Sequence, residues 1–498
     1  LFYSFSVKKI QLAPRPFSWS PVRKSALALG ILWPLTATSG VSSYPDPLPT
    51  DRDLSPVPAL ADVISSDMAC TLAPPGSALT LYQAVERALC QSPKTREAWA
   101  AIKSQTAQVG ISKSALMPHV NASVQWAKEH TYTEVPNSPD LSSGGGTHFR
   151  SDVLALEWVL FDFGARYEEM KSAQQLLVAA QQTHAATLQQ VFLQTAADYY
   201  EAIAAQAAAL STREMEHAAK QSLDTASARV RGGVAAVSDQ LQAQTAYAQA
   251  NYARVKAEGM ASTSLGTLAL DMGLSPDGHF ELAETQDGPL NDISFIKSLS
   301  TLLTDARQQH PVILASQAAV EAALARIKSV RANALPMLTL NGNISRNTQP
   351  VNPGPGMDGL SARSKGRYVG IVLSVPLFDG FASAYKIRAA DADLEIQKDK
   401  LQEAEQQIAQ EVWRSYQTFI VSTENLHNTE TVLQSARQQY AAASERYRLG
   451  IANVLELISA QTSLSTALQQ RVQAMAEWRV SRLELAASVG ILGAWAIR

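Results

Sequence analysis

Cysteine is nearly absent: only Cys70 and Cys90 occur in 498 residues, which excludes a disulfide framework and any cysteine-based zinc site. The eight histidines are scattered, with no HExxH or comparable ligand spacing, so no metal site is expected. No nucleotide-binding loop or catalytic triad can be read, and the chain is expected to be neither an enzyme nor a cofactor carrier. A net charge of −3 gives no basic surface for nucleic acid. Past the N-terminal region no apolar run approaches the ~20 residues of a spanning helix, so a chain of this kind that entered a membrane would do so as a β-barrel.

What is present begins with "PVRKSALALGILWPLTATSG". A basic start at Arg23 and Lys24, an apolar core from about Ser25 to Leu35 and small residues at Ala37, Ser39 and Gly40 read as an export signal, expected over 1–39. The stretch ahead of Arg23 is longer than such a signal needs, so translation is expected to start within it. A variable segment is expected over 40–78. Export places Cys70 and Cys90 in an oxidising compartment, where they either pair or stand as free thiols. Cys70 lies too far beyond the signal to be a lipidated first residue.

Glycine and proline are missing from two long stretches, Ala165 to Arg231 and Phe381 to Leu449, both rich in Ala, Gln, Glu, Leu and Lys. Each predicts one helix, over 165–231 and 381–449, about 100 Å long, a length typical of coiled coils rather than globular domains. The stretches belong to a duplication. "RVRGGVAAVSDQLQAQT" from Arg229 answers "RYRLGIANVLELISAQT" from Arg446, an offset of 217 positions that also pairs Arg231 with Arg448 and Gly233 with Gly450. "QSP" at 91–93 answers "QHP" at 309–311, and "VLFD" at 159–162 answers "PLFD" at 376–379. The unit of about 200 residues is too long for a solenoid repeat, so each copy is a sub-domain. The copies are placed at 79–278 and 292–492, with a linker at 279–291 and a tail at 493–498.

After each glycine a second helix is expected, over 234–272 and 451–489, which makes each copy a helical hairpin with its glycine at the tip. A left-handed residue commonly ends a helix, and glycine supplies it without steric cost. Ahead of each long helix comes one short opening helix, from Leu79 to about Lys113 and from Asp292 to about Val330, and then a change of period to two. Val120, Ala122, Val124 and Trp126 alternate with Asn121, Ser123 and Gln125; Leu154, Leu156, Trp158 and Leu160 share a face with Asp152. In the second copy Leu338, Leu340 and Ile344 alternate with Thr339, Asn341, Asn343 and Ser345, and then Val369, Ile371, Leu373, Val375 and Leu377 with Tyr368, Gly370 and Ser374. Strands are expected over about 118–132, 148–162, 336–347 and 366–379. Such strands suit either a transmembrane barrel wall or a half-buried soluble sheet. Four of them do not close a water-filled barrel, since small closed barrels use about eight, so the barrel reading needs several chains.

This duplicated order, with "LFDFG" and "PLFDG" entering the long helices and "GGVAAVSD" and "LGIANVLE" at the tips, resembles the TolC-like outer membrane factor family from Leu79 to Leu492. The resemblance implies a mainly α fold with a β-barrel part. Duplicated coiled-coil hairpins of three chains form a periplasmic α-barrel, and four amphipathic strands per chain form one twelve-stranded outer membrane barrel. It implies a passive exit duct lying in outer membrane lipid. The partners implied are two further copies, a periplasmic adaptor and an inner-membrane ABC or proton-driven transporter; the cargo is a protein or a small molecule.

Residue by residue, Asp239 matches an acidic latch of the closed tip and Tyr447 its aromatic partner. An arginine usual after the second glycine is replaced by Ala452. Of two acidic constriction positions Glu456 is kept and Ser459 is not, so the gate is expected to have lost a charged bond and part of its cation selectivity. Arg231, Gly233, Val234, Ala235, Arg448, Gly450, Ile451 and Ala452 are the docking candidates at the tips. The plainer alternative is that Asp239, Tyr447 and Glu456 are solvated side chains on long helices. The "ALCQSPKTREAW" opening and the cysteine pair resemble the branch that exports adenylate cyclase haemolysin more than lipid-anchored drug-efflux members. Two other readings remain: a periplasmic adaptor, which would carry one hairpin flanked by compact β-domains, and a coiled-coil scaffold, which leaves the strands without purpose.

Overall fold

The computed structural model describes residues 46–50, 78–138, 142–278, 280–283, 298–351 and 360–492. The expected signal, Cys70, the tail and most of the N-terminal segment and linker lie outside them. The first copy runs α1 (Leu81–Gln91), α2 (Pro93–Ser114), β1 (His119–Thr133), β2 (Ser143–Phe161), α3 (Ala165–Arg231) and α4 (Val237–Asp271). The second runs α5 (Leu299–Gln309), α6 (Pro311–Ala332), β3 (Met337–Val351), β4 (Leu360–Ser374), α7 (Ala382–Arg448) and α8 (Val454–Val489).

Three expectations need correction. The last strand, expected over 366–379, runs Leu360–Ser374, so Val375 and Leu377 lie beyond it. The single opening helix of each copy is a pair of helices, split before Pro93 and before Pro311. The residue ahead of a proline is pushed out of the α region, and Ser92 (φ −58, ψ 128) and His310 (φ −68, ψ 122) both stand extended. The return helices begin three residues later than expected, at Val237 and Val454. A left-handed glycine does not lead straight into a helix: Ala236 (ψ 150) and Asn453 (ψ 165) are extended first.

Away from the sheet, α3 lies between α4 and α8, and α8 packs on α7; nearer the sheet, α3 lies between α2 and α6, and α6 packs on α7. Small residues let these helices approach closely. Ala196, Ala202 and Ala226 on α3 are fully buried, and hydroxyl pairs Ser415–Ser488 and Ser422–Ser481, each at 2.7 Å, tie α7 to α8. The larger side chains gather where the opening helices meet the long ones. Val85, Leu89 and Phe192 form one such cluster; Ile313, Val412 and Phe419 form its counterpart in the second copy. Cys90 is disulfide-bonded, and Cys70, the other cysteine of the chain, lies outside the described residues.

The strands form one antiparallel sheet in the order β1-β2-β3-β4, with a bulge between Val159 and Phe161. No helix among the described residues is long and apolar enough to cross a membrane. Large apolar side chains on one face of the sheet stand in the open, including Val120, Trp126, Val369 and Leu373. A sheet that leaves such a face uncovered in the chain's own core suits contact with lipid.

Candidate functional site at the hairpin tips

Both long helices end in the same backbone lock. At the end of α3, Gly233 (φ 72) donates to the carbonyl of Val230 and Val234 donates to that of Arg229, each at 3.0 Å. At the end of α7, Gly450 (φ 78) donates to Tyr447 and Ile451 to Arg446, at 3.0 and 2.9 Å. These are Schellman closures, which satisfy carbonyls that a helix end leaves open. A Cβ would meet nothing within 4 Å at either glycine, so backbone conformation alone demands glycine there.

The tips differ in their side chains. Arg229 reaches from α3 to α7: its guanidinium lies 4.4 Å from the Tyr447 ring centre, and its Nη2 donates to the Tyr447 carbonyl at 2.6 Å. A cation is thereby held at a helix C-terminus, where the carbonyl dipoles favour it. Tyr447 is buried with Ala226, Ala243, Val454 and Leu457, and Ala452 packs against this cluster. Burial pushes the Tyr447 phenol up; the Arg229 charge opposes that shift and the nearby Asp239 charge adds to it. The structure therefore pairs Tyr447 with Arg229, and Asp239 acts on the phenol only through its charge.

Glu456 stands apart from that group. Its carboxylate pairs with Arg446 at 2.8 Å, and its backbone N–H is capped by the Asn453 side chain at 2.9 Å. Arg448 pairs with Glu445, three residues earlier in its own helix. Among the docking candidates Arg231, Val234, Arg448 and Ile451 are exposed, whereas Ala235 and Ala452 are half-buried. Arg229 and Arg446 were missed as site residues by sequence reasoning. The signal that marks them is the repeat itself, which they open at the same offset. Among the described residues no group of His, Cys, Asp and Glu could hold a metal.

A sheet with an apolar open face, continued into long hairpins with locked tips, defines an export channel of the outer membrane. The chain belongs to the outer membrane efflux protein family, whose profile matches residues 84–274 and 302–491. It is 32% identical over 419 residues to Protein CyaE of Bordetella pertussis, covering 83% of this chain and 85% of that one. It is 24% identical over 386 residues to outer membrane protein TolC of Vibrio cholerae, covering 77% and 84%. The crystal structure of the outer membrane protein VceC of Vibrio cholerae shares the fold, with a TM-score of 0.68 at 18% identity over 82% of this chain and 96% of that one. The protein is thus an outer membrane channel with a large periplasmic helical part, and the adaptor and scaffold readings fall away.

Proposed function

We propose that three copies of this chain assemble into one duct that carries a secreted polypeptide from an inner-membrane ABC transporter, through a periplasmic adaptor, to the cell exterior. The observation that carries the assembly is the sheet: its outer strands, β1 and β4, pair with only one neighbour each. Open edges demand partners in a membrane, and β1 of one copy against β4 of the next closes a barrel of three times four strands. The exposed tip residues Arg231, Val234, Arg448 and Ile451 are where the adaptor docks. Asp239, Tyr447 and Arg229 form the gate that docking releases. Protein cargo is supported by the stronger likeness to CyaE, at 32%, than to the toluene efflux pump outer membrane protein TtgC of Pseudomonas putida, at 25%.

Purified protein inserted in planar bilayers should give discrete single-channel currents from a trimeric species. Normal insertion without conductance rejects the duct. Deleting the gene should abolish release of the polypeptide handled by the partner transporter; continued release with loss of small-molecule efflux would reverse the cargo assignment.

A further inference from the structure

All six Lys and Arg residues of the four strands, Lys128, Arg150, Arg346, Arg363, Lys365 and Arg367, fall on the same face. It is the apolar one. Across the sheet Val120, Leu156, Gly342 and Val369 form one row of register partners, and Ala122, Leu154, Ile344 and Arg367 form the next. Beyond them come Val124, Asp152, Arg346 and Lys365, and then Trp126, Arg150, Thr348 and Arg363. The opposite face carries mostly Asn, Ser, Thr, Gln and Gly with Glu129 and Glu157, alongside Phe149, Val153 and Val372, and no Lys or Arg. In a barrel the apolar face meets lipid, so the cations point outward and not into the lumen.

Their height fits a headgroup layer. The helical end of the sheet is ringed by the exposed aromatics Phe161, Phe163, Phe378 and Phe381, which marks the inner interface. At about 3.4 Å per residue and a tilt of about 45°, Arg363 stands about 24 Å above Leu373, at the top of a hydrocarbon band about 25 Å tall, and Lys365 and Arg367 start about 5 and 10 Å below it, where long cationic side chains extend along the apolar surface toward the headgroups. Trp126, 69% exposed and in the same row as Arg363, marks the outer interface on the same face.

The charges are also unbalanced. Asp152, the one acid of this face among the described residues, is taken by Arg150 at 2.8 Å, and Arg150 stacks on Trp126. Arg346 lies directly opposite Lys365, and Lys365 is two residues from both Arg363 and Arg367. Like charges opposed across strands destabilise a sheet unless an anion lies between them. Phosphate is the anion that arginine forks and lysine grip best.

We propose that Arg346, Arg363, Lys365 and Arg367 form a binding site for the phosphates of an anionic glycolipid in the outer leaflet. The site fixes the height of the barrel in the membrane, and it rests only on the sheet crossing that membrane. The test uses the intact assembled protein and native mass spectrometry with bisphosphorylated lipid A and its dephosphorylated form. Wild-type protein should retain the bisphosphorylated lipid and lose the other. Replacing the four residues together by glutamine (R346Q, R363Q, K365Q, R367Q) should weaken retention about tenfold or more while single-channel conductance stays unchanged. Equal retention of both lipids by the wild type overturns the proposal without recourse to any variant. Undiminished retention by a conducting variant overturns it as well.

Discussion

The two copies meet the sheet through joints that look alike in sequence and differ in structure. In the first, Asp162 accepts from the backbone of Gly164 and Arg166 and from Arg166 Nε, the last at 2.7 Å. Arg166 then donates to the carbonyl of Ala115 at 2.9 Å and to that of Val159 at 2.8 Å. One guanidinium ties together the end of α2, the bulge of β2 and the start of α3. In the second copy Ser383 stands where Arg166 stands in the first, and Asp379 accepts from the Ser383 backbone N–H, at 2.7 Å, and hydroxyl, with the Lys386 charge nearby but no arginine among the described residues bonded to it. Leu377 and Phe378 beside it are 92% and 75% exposed. A duplicated plan therefore gives one joint tied across three elements by an arginine and one joint without that tie.

Breaking the clamp should have the largest effect. Arg166→Ala leaves the Asp162 carboxylate without its cation and should cost about 2–3 kcal/mol at this partly buried site, whereas Ser383→Ala should shift stability much less. Thermal unfolding of both variants measures the contrast; equal shifts would show that the clamp adds nothing. Burial alone would raise the Asp162 pKa, but the Arg166 bonds and charge and the Gly164 bond hold it below its ordinary value. A depressed carboxylate contributes stability that is present above its unfolded pKa and lost as pH falls through the folded one, so the clamp should fail only in strong acid.

The helix breaks sharpen the comparison further. Ser92 precedes Pro93 in the first copy, and His310 precedes Pro311 in the second, buried and accepting from the Val312 backbone N–H at 3.3 Å. Burial pushes the His310 pKa down to about 4. A histidine kept neutral by the fold contributes stability that is complete above its unfolded pKa near 6.5 and fades as pH falls toward 4. At pH 5 the loss is about 2 kcal/mol. His310→Ser, which copies the first repeat, should lose less melting temperature than wild type between pH 8 and pH 5, because the raised Asp271 carboxyl and the lowered His184 act alike in both proteins. An equal loss in the two proteins would show that the His310 ring is solvated.

What could be read in advance follows the range of the forces involved. The long helices α3 and α7 are legible because nothing in Ala165–Arg231 or Ala382–Arg448 breaks a helix, and the strands because their period is two. The splits at Pro93 and Pro311 were equally local, but "QSP" and "QHP" were read as markers of duplication and not as steric stops. The roles of Arg229 and Arg166 were illegible for another reason. Arg229 acts on Tyr447, 218 residues away, and Arg166 on Ala115, 51 away, so their contacts exist only after the hairpins have packed.

The smallest predicted effect bears on the gate. Asp239 and Glu456 occupy the same position in the two copies, the third residue of the return helix, where a carboxylate is favoured by the helix dipole. Their surroundings differ: the charge of Asp239 acts on the Tyr447 phenol, and Glu456 is matched by Arg446 at 2.8 Å. A half-exposed pair of that kind holds about 0.5 kcal/mol, so Glu456→Ala should leave stability nearly intact. At the gate proposed above it should, however, leave Arg446 without this partner, and a net positive charge there repels cations. Reversal potentials across a salt gradient should then move toward anion preference in Glu456→Ala, and the double variant Arg446→Ala/Glu456→Ala should move back. An unchanged reversal potential in the single variant would place Glu456 outside the constriction and leave it only the work of starting a helix.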